Sequence, residues 1–350
     1  MKTIKNNDLD REKFTEKRVQ CVKGSYYMYL PKNLCEKYEI DHSKIVYMKQ
    51  FADDSLLLHF KPQSRVKPEP FVINMNIPQD ESNREAKSSH SPSFEYLLNQ
   101  YLTAYIIGHG NIVFRNASKI PLTYRNRINA MTKRFYGMVV VSETAAEIIV
   151  EEHLGNIDIN VFWMQLLSKI NLMMTNFIEI VVSYGSMKKD DELLELLDEL
   201  ITQDDQIDEH RYTVEHICHK ALKAPQITHT SCVKYLHYSE MTRFIERIGD
   251  YLVKMSILLK SRVITEPAFI LEQLNIMLTT YTSIRDFADR NDTVNLWEFI
   301  QKIDVYAVEM KQHINDKHPD TDFLVPIRRI CNICGDIAEI RINDILSQQA

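Results

Sequence analysis

Glycine is scarce in this chain, with 8 residues in 350, and proline contributes only 11. So little turn-forming material argues against an all-β or Gly-loop architecture and for long helices. No window approaches the roughly 18 uninterrupted apolar residues of a membrane span. The opening stretch, MKTIKNNDLDREKFTEKR, lacks the apolar core of a secretory leader. Six cysteines, at 21, 35, 218, 232, 331 and 334, are too dispersed for a disulfide framework, so reduced thiols in a cytoplasmic, non-membrane protein are expected. The phosphate-loop, dinucleotide, nucleophile-elbow and zinc-protease patterns are all missing, and no catalytic machinery is expected.

Charge is present in ordinary amount but unevenly placed. The net value of −6 divides into +3 over 1–62, +3 over 63–150 and −12 over 151–350. A basic front and an acidic rear point to an anionic partner at one end and a cation at the other.

Residues 18–30, RVQCVKGSYYMYL, alternate apolar and polar as a half-buried strand does, with a break at Lys23-Gly24-Ser25. Pro31 opens a short helix, PKNLCEKYEI, and KIVYMKQF with SLLLHF forms a hairpin. A unit of about 45 residues buries little apolar surface alone, so pairing with a second copy is expected. A linker is expected over 63–93 and a small α/β segment over 94–154. Beyond Gly155, apolar-periodic runs at 158–185, 190–223, 230–260, 266–290, 293–316 and 324–347 predict six helices in two sets of three, divided into bundles over 155–262 and 263–350. Arg243 with Gly249-Asp250 and Arg329 with Gly335-Asp336 share R-x-x-x-x-x-G-D, which points to duplication.

The stretch from Asp190 to Glu209 holds ten acids and no Lys or Arg. On a helical wheel Leu193, Leu196, Leu200 and Ile207 form an apolar stripe, with Asp204 and Asp208 on its flank. Glu246 and Asp250 repeat the spacing on the next helix, on its polar side. If the two flanks meet, four carboxylates converge, and such oxygen donors suit Mg²⁺, Mn²⁺ or iron. The competing reading is ion pairing along one helix, with Arg243 and Arg247 against Glu246 and Asp250. In the second repeat Asn332 stands where Glu246 does, which leaves Asp336 and makes any second site weaker. Cys331-x-x-Cys334 lies in a predicted helix and reads as packing. The histidines between 210 and 237 read as surface or core residues rather than zinc ligands.

The front of the chain resembles a SpoVT/AbrB-type swapped-hairpin module, whose S-x-x-V-x-L-P-K core appears as Ser25-Tyr26-Tyr27-Met28-Tyr29-Leu30-Pro31-Lys32. The helical part is similar to PhoU, whose E/D-x-x-x-D motifs match Asp204–Asp208 and Glu246–Asp250. Together they resemble the archaeal phosphate-uptake regulator type. The resemblance implies an α+β multidomain chain: a β module over 14–62 that dimerises and binds DNA, the α/β segment, and two PhoU-like three-helix bundles carrying surface metal clusters. DNA contacts would come from Arg18, Lys23, Lys32 and Lys37. Metal ligands would be Asp204, Asp208, Glu246, Asp250 and Asp336, for a divalent or trivalent ion (Fe, Mg, Mn or Zn are not distinguished). Where this chain has His42-Ser43 the module usually has Gly-Asp. The expected role is a transcriptional regulator of phosphate uptake, homodimeric or larger, in contact with DNA and a transporter component or sensor protein. Two rivals stand beside it. One is an adaptor that regulates a phosphate transporter by protein contact alone. The other is a carboxylate-bridged metalloenzyme, which would need Glu-x-x-His at matching places on two helices, and this chain offers none.

Overall fold

The computed structural model describes residues 19–41, 47–50, 56–59, 69–77, 93–153, 155, 158–184, 191–224, 229–287 and 292–348. The chain separates into two compact units, Met1–Pro68 and Glu69–Ala350.

In the first unit β1 (Val19–Val22) and β2 (Ser25–Met28) form an antiparallel hairpin with Val22 opposite Ser25. Its two turn residues, Lys23 at φ 52 and Gly24 at φ 83, are both left-handed, as the twist of a two-residue hairpin demands. Pro31 caps α1 (Lys32–Lys37), and β3 (Tyr47–Gln50) pairs with β4 (Leu56–His59). The turn residues 51–55 lie outside the described residues, as does Arg18. Tyr26, Tyr27, Met28 and Tyr29 are all more than half exposed, so β2 presents its apolar side chains outward.

The second unit begins with a strand inside the stretch expected to be linker: β5 (Phe71–Asn74). Four residues are too few to show a period in sequence, and parallel pairing with β6 (Asn111–Arg115) is what holds them extended. Between these strands lies α2 (Phe94–Ile106), capped by the Ser93 hydroxyl, which accepts from the Tyr96 N–H. After it come α3 (Leu122–Arg134), β7 (Met138–Glu143) and β8 (Glu147–Glu152). The sheet order is β5-β6-β8-β7. Leu97, Tyr101, Ala104 and Tyr105, spaced along one face of α2, are buried against Ile112, Phe114, Ile148 and Val150.

Six helices follow: α4 (Ile159–Tyr184), α5 (Asp191–Leu222), α6 (His229–Ser261), α7 (Pro267–Phe287), α8 (Thr293–Asn315) and α9 (Thr321–Ser347). The apolar periodicity located all six. One continuous core runs through both sets of three, from Trp163 on α4 to Ile345 on α9. Each fully buried Met, Phe or Ile in it contributes roughly 1.5–3 kcal/mol. On α5 the buried stripe is Leu193, Leu197, Leu200 and Ile207, whereas the expected Leu196 is 39% exposed. The register shifts by one residue because Leu197, four after Leu193, stays nearer the core axis. Buried Asp320 accepts from the Thr265 and Glu266 N–H groups, both at 2.8 Å, which ties the start of α9 to the start of α7. α4 is long and apolar enough by composition to cross a membrane, and half of its apolar window is buried among the other helices.

Fully buried Tyr281 on α7 donates its hydroxyl to the Leu167 carbonyl on α4 at 2.8 Å, linking the two sets. Tyr281→Phe leaves that carbonyl without the hydroxyl inside the core and is expected to cost about 1–3 kcal/mol. Urea unfolding measures this, and an unchanged midpoint would show that the bond contributes nothing net.

Candidate functional site

Among the described residues α5 and α6 share the most extensive helix–helix contact, and the carboxylates lie along it. Gly249 makes this possible. A Cβ there would lie 3.1 Å from Asp204 Oδ1, 3.3 Å from Ile207 Cδ1 and 3.5 Å from Ile170 Cδ1. Without it, the Asp204 carboxylate rests against the backbone of α6. Burial pushes the Asp204 carboxyl up to about 6, and the neighbouring charges of Asp208, Asp250 and Asp205 act in the same direction. Glu246 is raised as well, first by burial, with Asp250, Asp208 and Asp204 adding to it and Arg211 opposing. The structure thus brings Asp204, Asp208, Glu246 and Asp250 into one electrostatic group.

Arg211 sits inside this group, and sequence reasoning overlooked it. Its guanidinium is 3.4 Å from Asp208, 3.4 Å from Glu215 and 3.7 Å from Glu246. Burial alone would favour the neutral guanidine, yet those three carboxylates hold the group more firmly protonated than usual. Glu215, with its side chain 1% exposed, also accepts from Arg243 at 2.6 Å. Asp208 receives the Tyr212 hydroxyl at 3.0 Å, and the ring of Tyr212 packs on the core of the α/β segment. From α3, Arg134 reaches Asp205 at 2.8 Å and Glu209 at 3.0 Å. The Asp208-x-x-Arg211 and Arg211-x-x-x-Glu215 spacings were visible as neighbours on one helical face. No local pattern pointed to Arg134, which is 71 residues away from Asp205 along the chain.

Oxygen donors with surplus negative charge have the chemistry for a hard cation. With Arg211 in place the group has no room for one. Arg211 already stands against two of the four carboxylates, and among the described residues no three His, Cys, Asp or Glu side chains are grouped to hold a metal.

Asp336 lies on α9, its carboxyl raised by partial burial and by Glu339 and lowered by Arg247. Above Gly335 stands Ile303, 3.7 Å from the place of a Cβ, where its counterpart Gly249 has Asp204. α8 thus supplies an aliphatic group in place of an acid, while Asp304 and Glu309 face solvent. Cys331 and Cys334 are buried, and burial pushes the Cys331 thiol up to about 12, so they serve as packing. Two histidines of the 210–237 stretch have a structural use. His216 and His219 place Nδ1 at 2.6 and 2.8 Å from the Tyr105 and Ile106 carbonyls, closing the end of α2. Of the DNA candidates, Lys23 is exposed in the β1–β2 turn, Lys32 is 3.5 Å from Glu36, and Lys37 lies over the Tyr38 ring.

Residues 167–258, from α4 into α6, match the PhoU domain family. No curated protein matches the chain. Two solved structures are similar. PhoU from Pseudomonas aeruginosa has 16% identity and a TM-score of 0.42, over 54% of this chain and 96% of that one. The phosphate transport system regulatory protein PhoU from Streptococcus pneumoniae has 15% identity and a TM-score of 0.42, over 53% of this chain and 94% of that one. The stretch that matches the PhoU domain family coincides with the helices that carry the carboxylate group.

The raised Asp204 binds its proton more tightly folded than unfolded, so its contribution to stability is present below 3.8 and lost as pH rises through about 6. Asp204→Asn stays neutral, and its advantage over the wild type is expected to grow across that interval to about 1 kcal/mol after screening. Parallel stability–pH curves for the two proteins would remove Asp204 from the group. Alanine at the two glycines is a second check. Gly335→Ala meets only ordinary contacts and is expected to gain about 0.5–1 kcal/mol of helix stability. Gly249→Ala must displace Asp204 and forfeits that gain, and equal effects at both positions would contradict the close approach.

Proposed function

We propose that this chain regulates phosphate uptake by protein contact, with the PhoU domain as its contact surface. The coincidence of the family match over 167–258 with the carboxylate group on α5 and α6 carries this reading. The Streptococcus protein is described as a regulator of a phosphate transport system, and that role is extended here to the present chain. Glu192, Glu195 and Glu199 on α5 are exposed and form an acidic face suited to a basic surface on a transport component. Reversing Glu195 and Glu199 to Lys should weaken co-purification with the transporter components roughly tenfold, in line with losing two rim charges. Undiminished capture by the variant would refute contact through this face.

A second reading is favoured by the exposed lysines of the first unit. Lys23, Lys32 and Lys37 of a dimer would contact the phosphates of a DNA duplex, making the chain a transcriptional regulator as well. The exposed Tyr26, Tyr27 and Tyr29 would then lie between the two copies. Electrophoretic retardation of the chain's own promoter at low salt tests it. No shift, or a shift unaltered by Lys23→Glu/Lys32→Glu, leaves the contact mechanism alone.

The expected cation belongs to the same proposal. A divalent or trivalent ion would enter the group of Asp204, Asp208, Glu246 and Asp250 only as Arg211 leaves it. Elemental analysis should find more metal per chain in Arg211→Met than in wild type, and less in Asp204→Ala/Glu246→Ala. Equal content in all three proteins would take metal out of the mechanism.

A further inference from the structure

β7 ends the four-stranded sheet: it pairs with β8 along one side, and along the other it pairs with no described residue. Edge strands are usually guarded by lysine, proline, a bulge or a covering element, because an open row of backbone donors and acceptors recruits another strand. Met138–Glu143 reads MVVVSE and carries neither lysine nor proline, and its one such device is the bulge at Val141. Val139 and Val141 are each 43% exposed, and Val141 is skipped by the β8 register, which passes from Val140 to Ser142.

Beside this edge runs a groove of about 580 Å³ between β7 and α3, lined on the helix side by Asn129, Thr132 and Lys133. Asn129 Oδ1 is closed off from water and has no hydrogen-bond partner among the described residues. A buried acceptor without a donor is an unfavourable state that an incoming N–H would relieve. Arg125 on α3 pairs with Glu143 at 2.5 Å. Lys133 stands at the Met138 end, with no carboxylate paired to it among the described residues, and Glu143 stands at the far end.

We propose that β7 pairs edge to edge and antiparallel with β7 of a second copy of this chain, joining two four-stranded sheets into one of eight. A two-fold axis midway between the two strands and perpendicular to them makes them antiparallel, so Lys133 of each copy comes beside Glu143 of the other. Val139 and Val141 meet their counterparts across the same axis, apolar against apolar. The groove offers one free positive charge and one negative charge already half satisfied. Its balance therefore selects a self-complementary strand over a strongly charged foreign peptide. The pairing needs neither the phosphate reading nor any contact made by the first unit.

Hydrogen–deuterium exchange of the full chain, read by mass spectrometry on peptides spanning 136–144, tests this directly. At two protein concentrations about a hundredfold apart, exchange in that segment should be about tenfold slower at the higher one. Lys133→Glu and Val141→Lys should each abolish the difference, while exchange in β6 stays as in wild type. If Val141→Lys also loosens β6, Val139→Thr, which keeps strand propensity and trims the apolar contact, replaces it and should reduce the difference. Exchange in 136–144 that is indifferent to concentration overturns the proposal. Protection that survives in Lys133→Glu together with the valine variant overturns it equally.

Discussion

An acidic side chain held against the backbone of a neighbouring helix needs both space and compensation, and the α5–α6 contact supplies the two from different residues. Gly249 gives Asp204 its place, and Arg211 draws Asp208, Glu246 and buried Glu215 around one positive charge. The group is only partly balanced, since Asp204 and Glu246 both remain raised. That remaining repulsion sits where two of the longest helices pack and adds no stability of its own, so burial of Ile207, Ile248 and Leu252 beside it must hold the contact. Polar groups maintained in an energetically unhelpful position are more readily explained by a contact they make than by the fold.

The α/β segment is bound to this arrangement through α5. Tyr212 spans the distance from the segment's core to Asp208, and Arg134 holds Asp205 and Glu209. His216 and His219 close the C-terminal end of α2. One helix therefore carries the bundle core on one side, the acidic group along its flank, and the docking of the segment near its end. A displacement of α5 at the carboxylates would be felt in the sheet without any flexible relay between them.

Legibility followed the range of each interaction. Six helices were readable because apolar spacing at 3.6 residues repeats many times over twenty to thirty positions, and the two acidic pairs were readable as spacings of four. β5 was missed because four residues hold no period and its partner β6 lies some forty positions later. Leu196 and Leu197 flank the same stripe, and the packing of α6, which a wheel of α5 does not contain, decides that Leu197 is the buried one. Arg211 was passed over for a different reason. It lies three and four positions from Asp208 and Glu215 on its own helix, but its contact with Glu246 crosses to α6 and leaves no spacing on α5. The contacts of Arg134, His216 and His219 depend on packing between distant segments, and no reading of neighbours reaches them.

Ile303 over Gly335, in the place where Asp204 stands over Gly249, has a consequence for stoichiometry. Two sets of three helices that kept the same acids would offer a binding protein two equivalent berths and leave its orientation open. With the acid replaced by an aliphatic group in one set, the molecule has a front and a back. Under the proposed contact mechanism, a partner that reads the carboxylates would find one berth among the described helices and one way to face it.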